Sequence, residues 1–198
     1  LACDQSEVAD SSTGDESTIQ NDFTETGPLQ GMTEAHNIVR NDYGLEPLEW
    51  DEELAEIADE WAEHLATTNS CQMEHRPSKE VSSEQDGMQF TGNGNFVNGM
   101  FIGENLYWER NTAVPLPLTS PKTVVDAWAS EIEFYDYESN TCQPGEMCGH
   151  YTQVVWADTR KVGCAYRTCD DLGEQVWVCN YYPAGNFNGE HPYPISNH

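Results

Sequence analysis

The chain is 198 residues long, enough to bury one sizeable core, and its eight Lys and Arg stand against thirty-five Asp and Glu for a formal net charge of -27. A charge of that sign and size repels nucleic-acid phosphates, so nucleic acid is excluded as a partner. No run of about eighteen apolar residues occurs, so no transmembrane segment is expected.

Residues 1–30 hold seven acids, no base and few large apolar groups, the composition of an acidic low-complexity tail or tether ahead of one domain over residues 31–198. Leu1-Ala2-Cys3 resembles the end of a bacterial lipoprotein signal, which makes Cys3 a candidate lipidation site and lipid anchor. Without such processing Cys3 is a free thiol or a crosslink between copies.

A first helix is predicted from Thr33, as cap, through EAHNIVRNDY to Gly44, a left-handed stop. A second starts at Asp51, where Leu54, Ile57, Ala58, Trp61, Ala62, Leu65 and Ala66 recur at helical spacing. Residues 76–103 are rich in Gly and Asn without a helical period and read as a loop or a short hairpin. Ser120 as cap and Pro121 in the first turn open a third helix. Its apolar stripe is Val124, Trp128 and Tyr135 with Ile132 beside it, and Glu131 falls in the middle of that stripe, so its carboxylate is expected to point inward. YTQVVWA, KVGCAYRTC and EQVWVCNYYP are β-branched and aromatic runs, with DDLGE as a hairpin loop between the last two. They predict an antiparallel sheet of at least three strands after the helices, with His150 at the entry to a strand. Most of Trp128, Trp156, Trp177, Tyr181 and Tyr182 are expected in the core, with ligand stacking as the alternative for any that is exposed.

Six of the seven cysteines follow residue 70, none forms a CxxC pair, and their spacing does not resemble a zinc ribbon. Disulfides in an oxidising compartment are the better reading, so the protein is expected to be secreted, extracellular or at the cell surface. Cys164 and Cys179 fall near opposite positions of the predicted hairpin, and Cys142 and Cys148 flank a short stretch just before His150. The sequence alone leaves many pairings open. His75, Glu104 in GENLYW, Glu131 and His150 supply two imidazoles and two carboxylates, the inventory of a divalent metal site or of an acid/base pocket.

CGHYTQVVWADTRKVGCAY followed by VWVCNYYPAGNFNGEHPY resembles the paired signatures of the CAP family: cysteine-rich secretory proteins, antigen-five venom allergens and plant pathogenesis-related class-one proteins. GENLYW, VVDAWASEIEFY and TEAHNIVRNDYGLEPLEWDEELAEIADEWA match it in order, so the resemblance covers residues 33 to 193. It implies an α+β fold, a three-layer α-β-α sandwich with a central antiparallel sheet. It also implies the pairings Cys71–Cys169, Cys142–Cys148 and Cys164–Cys179. On a chain-entropy account the first of these, which closes nearly a hundred residues, is worth about 4 to 5 kcal/mol. The family's cleft of two His and two Glu maps onto His75, Glu104, Glu131 and His150, while His36, His64, His191 and His198 match no cleft position and read as surface or structural. The twenty-eight residues between His75 and Glu104 are more than many members have.

The function implied is a secreted or cell-surface binding module. Its cleft would hold Zn²⁺ or another divalent cation on His75 and His150, with the glutamates as ligands or behind the ligands, and apolar surface nearby would take a lipid or sterol. Neither an HExxH helix nor a GxSxG elbow is present, so no catalytic residue is assigned. The alternatives are a metal-dependent hydrolase with Glu131 or Glu104 as base, and a structural extracellular protein that self-associates through Cys3 or its tail.

Overall fold

A computed structural model describes residues 23–77, 79–85, 88–113 and 116–194. The lipidation reading of Cys3, the tail reading of residues 1–22 and the reading of His198 lie outside the described residues.

Helix α1 (Met32–Asn41) is entered through a 3-10 turn at Gly27–Leu29. Its cap is not Thr33, which lies inside the first turn after Gly31 at φ 93°. Instead Oε1 of Glu25 accepts from the Thr33 backbone N at 2.7 Å, a carboxylate placed where the first N–H groups are free. Trp50 Nε1 donates to the Phe23 carbonyl at 2.9 Å and Leu29 packs on the core, so residues 23–30 lie against the domain. Helix α2 (Glu52–Thr67) starts where its periodicity predicts, with the Asp51 side chain accepting from Leu54 N, and it buries Leu54, Ile57, Ala58, Trp61, Ala62 and Leu65.

The remaining elements are β1 (Glu49–Trp50), β2 (Lys79–Gln85), β3 (Met88–Val97), β4 (Met100–Arg110), α3 (Pro121–Ala129), β5 (Tyr135–Asp136), β6 (Thr141–Cys142), α4 (Gly149–Val154), β7 (Lys161–Cys169) and β8 (Glu174–Tyr182). The main sheet runs β1-β7-β8-β4-β3-β2 and is antiparallel except for the short β1–β7 pair. Side chains alternate across it. Leu106, Ala165, Val176 and Val178 meet Ala58, Trp61 and Leu65 of α2 on one face. Val162, Cys164, Trp177, Cys179 and Tyr181 meet α1, α3 and α4 on the other. This is an α-β-α sandwich. Disulfides join Cys71 to Cys169, Cys142 to Cys148, and Cys164 to its register partner Cys179.

Three further expectations are corrected. Residues 76–103 are neither a loop nor a short hairpin: most of them lie in β2, β3 and the start of β4. Asn98 and Gly99, at φ 50° and 84°, form the two-residue connection from β3 to β4, a hairpin signal hidden among other Gly and Asn. Ile132 is 42 % exposed, because the helix tightens after Ala129 into a 3-10 turn (Ser130–Phe134) and the stripe loses its phase.

The third correction concerns YTQVVWA, which opens as helix α4 rather than as a strand, so His150 sits in the first turn of a helix. Six residues are too few for periodicity to decide, and remote charges decide instead. Glu131 Oε2 accepts from the backbone N of His150 at 3.0 Å and of Tyr151 at 3.1 Å. At the other end buried Arg40 donates to the carbonyls of Val154 and Trp156, both at 2.9 Å, and of Thr159 at 3.1 Å. An acid at the N-terminus and a guanidinium at the C-terminus complement the helix dipole and satisfy its end groups, which overrides the β preference of the run.

Candidate functional site

Four segments each bring one side chain to the candidate site. His75 follows Cys71 in an extended segment that is fixed on both sides. Trp61 Nε1 donates to Glu74 O at 2.9 Å, and the Arg76 guanidinium donates to Ile57 O at 2.7 Å while lying over the Trp61 ring at 5.0 Å. Glu104 projects from β4 opposite Asn180 of β8. Glu131 comes from the turn after α3, and His150 from the start of α4. His150 stacks 6.3 Å from Trp128, whose Nε1 donates to Leu106 O.

The four residues form two pairs. Nδ1–H of His75 donates to Glu104 Oε1 at 2.9 Å, and Nδ1–H of His150 donates to Glu131 Oε1 at 2.6 Å. An ionised carboxylate only accepts, so Nδ1 carries the proton in each ring and the neutral ring keeps its lone pair on Nε2. The two imidazoles lie 6.5 Å apart, within 27° of parallel. Glu104 Oε1 also accepts from the Arg76 backbone N at 3.0 Å, whereas its Oε2 is buried with no hydrogen-bond partner among the described residues. No group of three His, Cys, Asp or Glu side chains able to hold a metal ion is gathered among the described residues.

Beneath His150 lies a polar chain that the sequence reading left out. His36 is fully buried, its Nδ1–H donating to Met32 O at 2.8 Å, which leaves Nε2 to accept from the Tyr181 hydroxyl at 2.8 Å. Asn105 Nδ2 donates to Tyr181 Oη at 3.3 Å and to His150 O at 3.1 Å. Burial pushes His36 down to about 4 and the Tyr181 phenol well above its ordinary value. His36 is therefore structural, and one signal for it was present: an apolar face of α1 carrying a polar residue at position 36. His64 stacks on Trp61, and exposed His191 bonds to Tyr137 O at 3.0 Å. Trp128, Trp156, Trp177 and Tyr181 are core residues, and Tyr182 is half-buried.

The Cysteine-rich secretory protein family (CAP) profile matches residues 33–181. Pathogenesis-related protein PR-1 of Medicago truncatula is 40 % identical over 157 residues, 79 % of this chain and 74 % of that protein. Pathogenesis-related protein 1A of Nicotiana tabacum is 38 % identical over 165 residues, 83 % of this chain and 80 % of that one. Among solved structures, Schistosoma mansoni venom allergen-like protein 4 superposes with a TM-score of 0.55 at 24 % identity, covering 84 % of this chain and 93 % of that one. NaASP2, solved with Zn²⁺, gives 0.54 at 21 % identity over 84 % and 85 %. At such identities the structures establish the shared fold, while the family profile and the plant relatives establish descent: the chain belongs to the CAP, or cysteine-rich secretory protein, family.

Proposed function

We propose that this is an extracellular CAP-domain binding protein whose cleft holds a divalent cation, Zn²⁺ by donor type, between Nε2 of His75 and Nε2 of His150. One observation carries the reading. Both Nδ1 atoms are taken by carboxylates, so each ring is held in the tautomer that offers Nε2, and neither Nε2 has a partner among the described residues. A carboxylate behind a histidine fixes its orientation and raises its basicity as a ligand, which makes Glu104 and Glu131 supports rather than ligands. With two protein nitrogens the ion completes its shell from solvent or from a ligand. Exposed Ile132 beside Glu131 and exposed Met147 inside the loop closed by the Cys142–Cys148 bridge add apolar surface at this end, where an acyl chain or sterol would rest. Three disulfides and kinship with a secretory family support the reading that the protein is exported.

Native mass spectrometry and calorimetry with Zn²⁺ test the reading. Wild type takes up one ion and gains thermal stability by mass action, and the His75→Ala, His150→Ala double variant does neither. Equal uptake by the double variant would place the ion elsewhere.

A further inference from the structure

We propose that the aromatic cavity at the far end of α4 binds a small organic cation, an alkylammonium of about choline's size. It holds about 460 Å³, and its lining includes Tyr137, Trp156, Asp158, Glu190, His191 and Tyr193. Because Trp156 follows the C-terminus of α4 and His150 lies at its N-terminus, this place is separate from the histidine cleft.

The walls are preorganised. The Tyr137 ring lies 4.7 Å from that of His191 and 5.0 Å from that of Tyr193. The Tyr137 hydroxyl donates to Tyr193 O, His191 Nε2–H donates to Tyr137 O at 3.0 Å, and Ala157 N donates to Pro192 O at 2.6 Å. The segment carrying Glu190 is fastened as well, since Asn140 Nδ2 donates to its carbonyl at 2.8 Å. A ligand therefore meets rings already in place, with little ordering left to do.

Charge selects the occupant. No Lys or Arg lines the cavity, and neither Asp158 nor Glu190 makes an ion pair among the described residues. Arg160, two residues from Asp158, directs its Nη1 to the carbonyls of Ala157 and Thr159 and makes no ion pair with Asp158 among the described residues. Ring faces carry negative potential, so two carboxylates with no ion-pair partner beside an aromatic lining attract a positive, weakly hydrated group with an apolar skin. A sugar fits less well, because the neighbouring Asn140 amide is already committed to the Tyr135 hydroxyl and to Glu190 O.

The test titrates choline, its uncharged isostere 3,3-dimethylbutan-1-ol and glucose into the whole chain at about 0.15 M salt, where the general field of the protein is screened. Binding is followed by NMR at the Trp156 indole and the Gly189 amide. Choline is expected to bind at least about tenfold tighter than the alcohol, and the Asp158→Asn, Glu190→Gln double variant to lose about tenfold. Both acids are exposed, so that variant should fold, and an unchanged melting curve verifies it. The control Glu52→Gln, Glu53→Gln, which removes the same charge from α2, should leave affinity unchanged, as should His75→Ala, His150→Ala in the cleft. Equal affinity for choline and the alcohol, equal weakening by the α2 control, preference for glucose, or no shift with about 20 mM choline would each overturn the proposal.

Discussion

The pairs His150–Glu131 and His75–Glu104 join the same two side chains at 2.6 and 2.9 Å, yet the fold buries different members of them. In the first, both side chains are nearly covered, 15 % exposed for His150 and 13 % for Glu131. In the second, the Glu104 side chain is 1 % exposed and His75 is 59 % exposed. Glu131 also holds the N-terminus of α4, so the His150 pair is part of the framework, with Trp128 on one side and the His36–Tyr181–Asn105 chain below. Glu104 is anchored in the sheet, but the ring it directs stands in solvent. One half of the candidate site is buried in the framework, and the other presents its ring to solvent.

On that contrast Glu131→Ala has the largest effect on folding. It removes the acceptor for two backbone N–H groups at the start of α4 as well as the His150 partner, and charge-assisted bonds and caps together make the expected loss about 3 kcal/mol in urea unfolding. A loss below about 1 kcal/mol would mean that α4 does not depend on Glu131.

The next effect is on pH dependence. His36 is held neutral, its folded value near 4 lying below an ordinary value of 6.5 because burial disfavours the cation. A depressed histidine makes the unfolded chain the stronger proton binder between those values, so its contribution is full above pH 6.5 and is lost as pH falls towards 4. Wild type should therefore lose about 2 kcal/mol more than His36→Gln between pH 6.5 and pH 5. Protonated Nε2 could no longer accept from Tyr181, so the damage should spread to the His150 side, visible as loss of amide protection at Asn105 and His150 but not at His75. Parallel stability curves for the two proteins would break the link between His36 and the fixed half.

The same contrast marks what could be read in the sequence. Helix α2 was legible because seven apolar residues keep one phase over four turns, and the β7–β8 hairpin because two β-branched runs flank a short polar loop. Glu131 was legible as inward-pointing from its place between Trp128 and Tyr135. Helix α4 was not, since its carboxylate comes from position 131 and its guanidinium from position 40, and no local pattern reports either. Nor was the assignment of each glutamate to one histidine. His75 meets Glu104 across twenty-nine residues because segment 72–77 is fastened by Trp61, Ile57 and the Cys71 bridge, facts of packing rather than of spacing.

A third effect is smaller for folding. In Glu104→Gln the amide oxygen can still accept from His75 and Arg76, while a new N–H occupies the place of the buried oxygen that has no partner among the described residues. About 1 kcal/mol of stability is the expected cost. Zn²⁺ affinity in calorimetry should fall by about 10- to 100-fold, the usual consequence of weakening the group behind a ligand. Unchanged affinity would remove Glu104 from its supporting role.

The smallest folding effect and the sharpest contrast belong to the two histidines themselves. His75→Ala removes a ring that stands mostly in water, and its neighbours Glu74 and Arg76 remain fastened by Trp61 and Ile57, so stability should change by no more than about 0.5 kcal/mol. His150→Ala removes a ring packed on Trp128 and leaves the covered Glu131 Oε1 without its donor, so about 2 kcal/mol should be lost. Both variants should lose Zn²⁺ binding alike, because each removes one of the two nitrogens. Urea unfolding and calorimetry on the same two variants thus separate folding from ligation: stability distinguishes the histidines while metal affinity does not. Equal destabilisation would mean that the exposed half is as much a part of the framework as the covered one, and retained affinity in His75→Ala would leave His150 as the sole ring ligand.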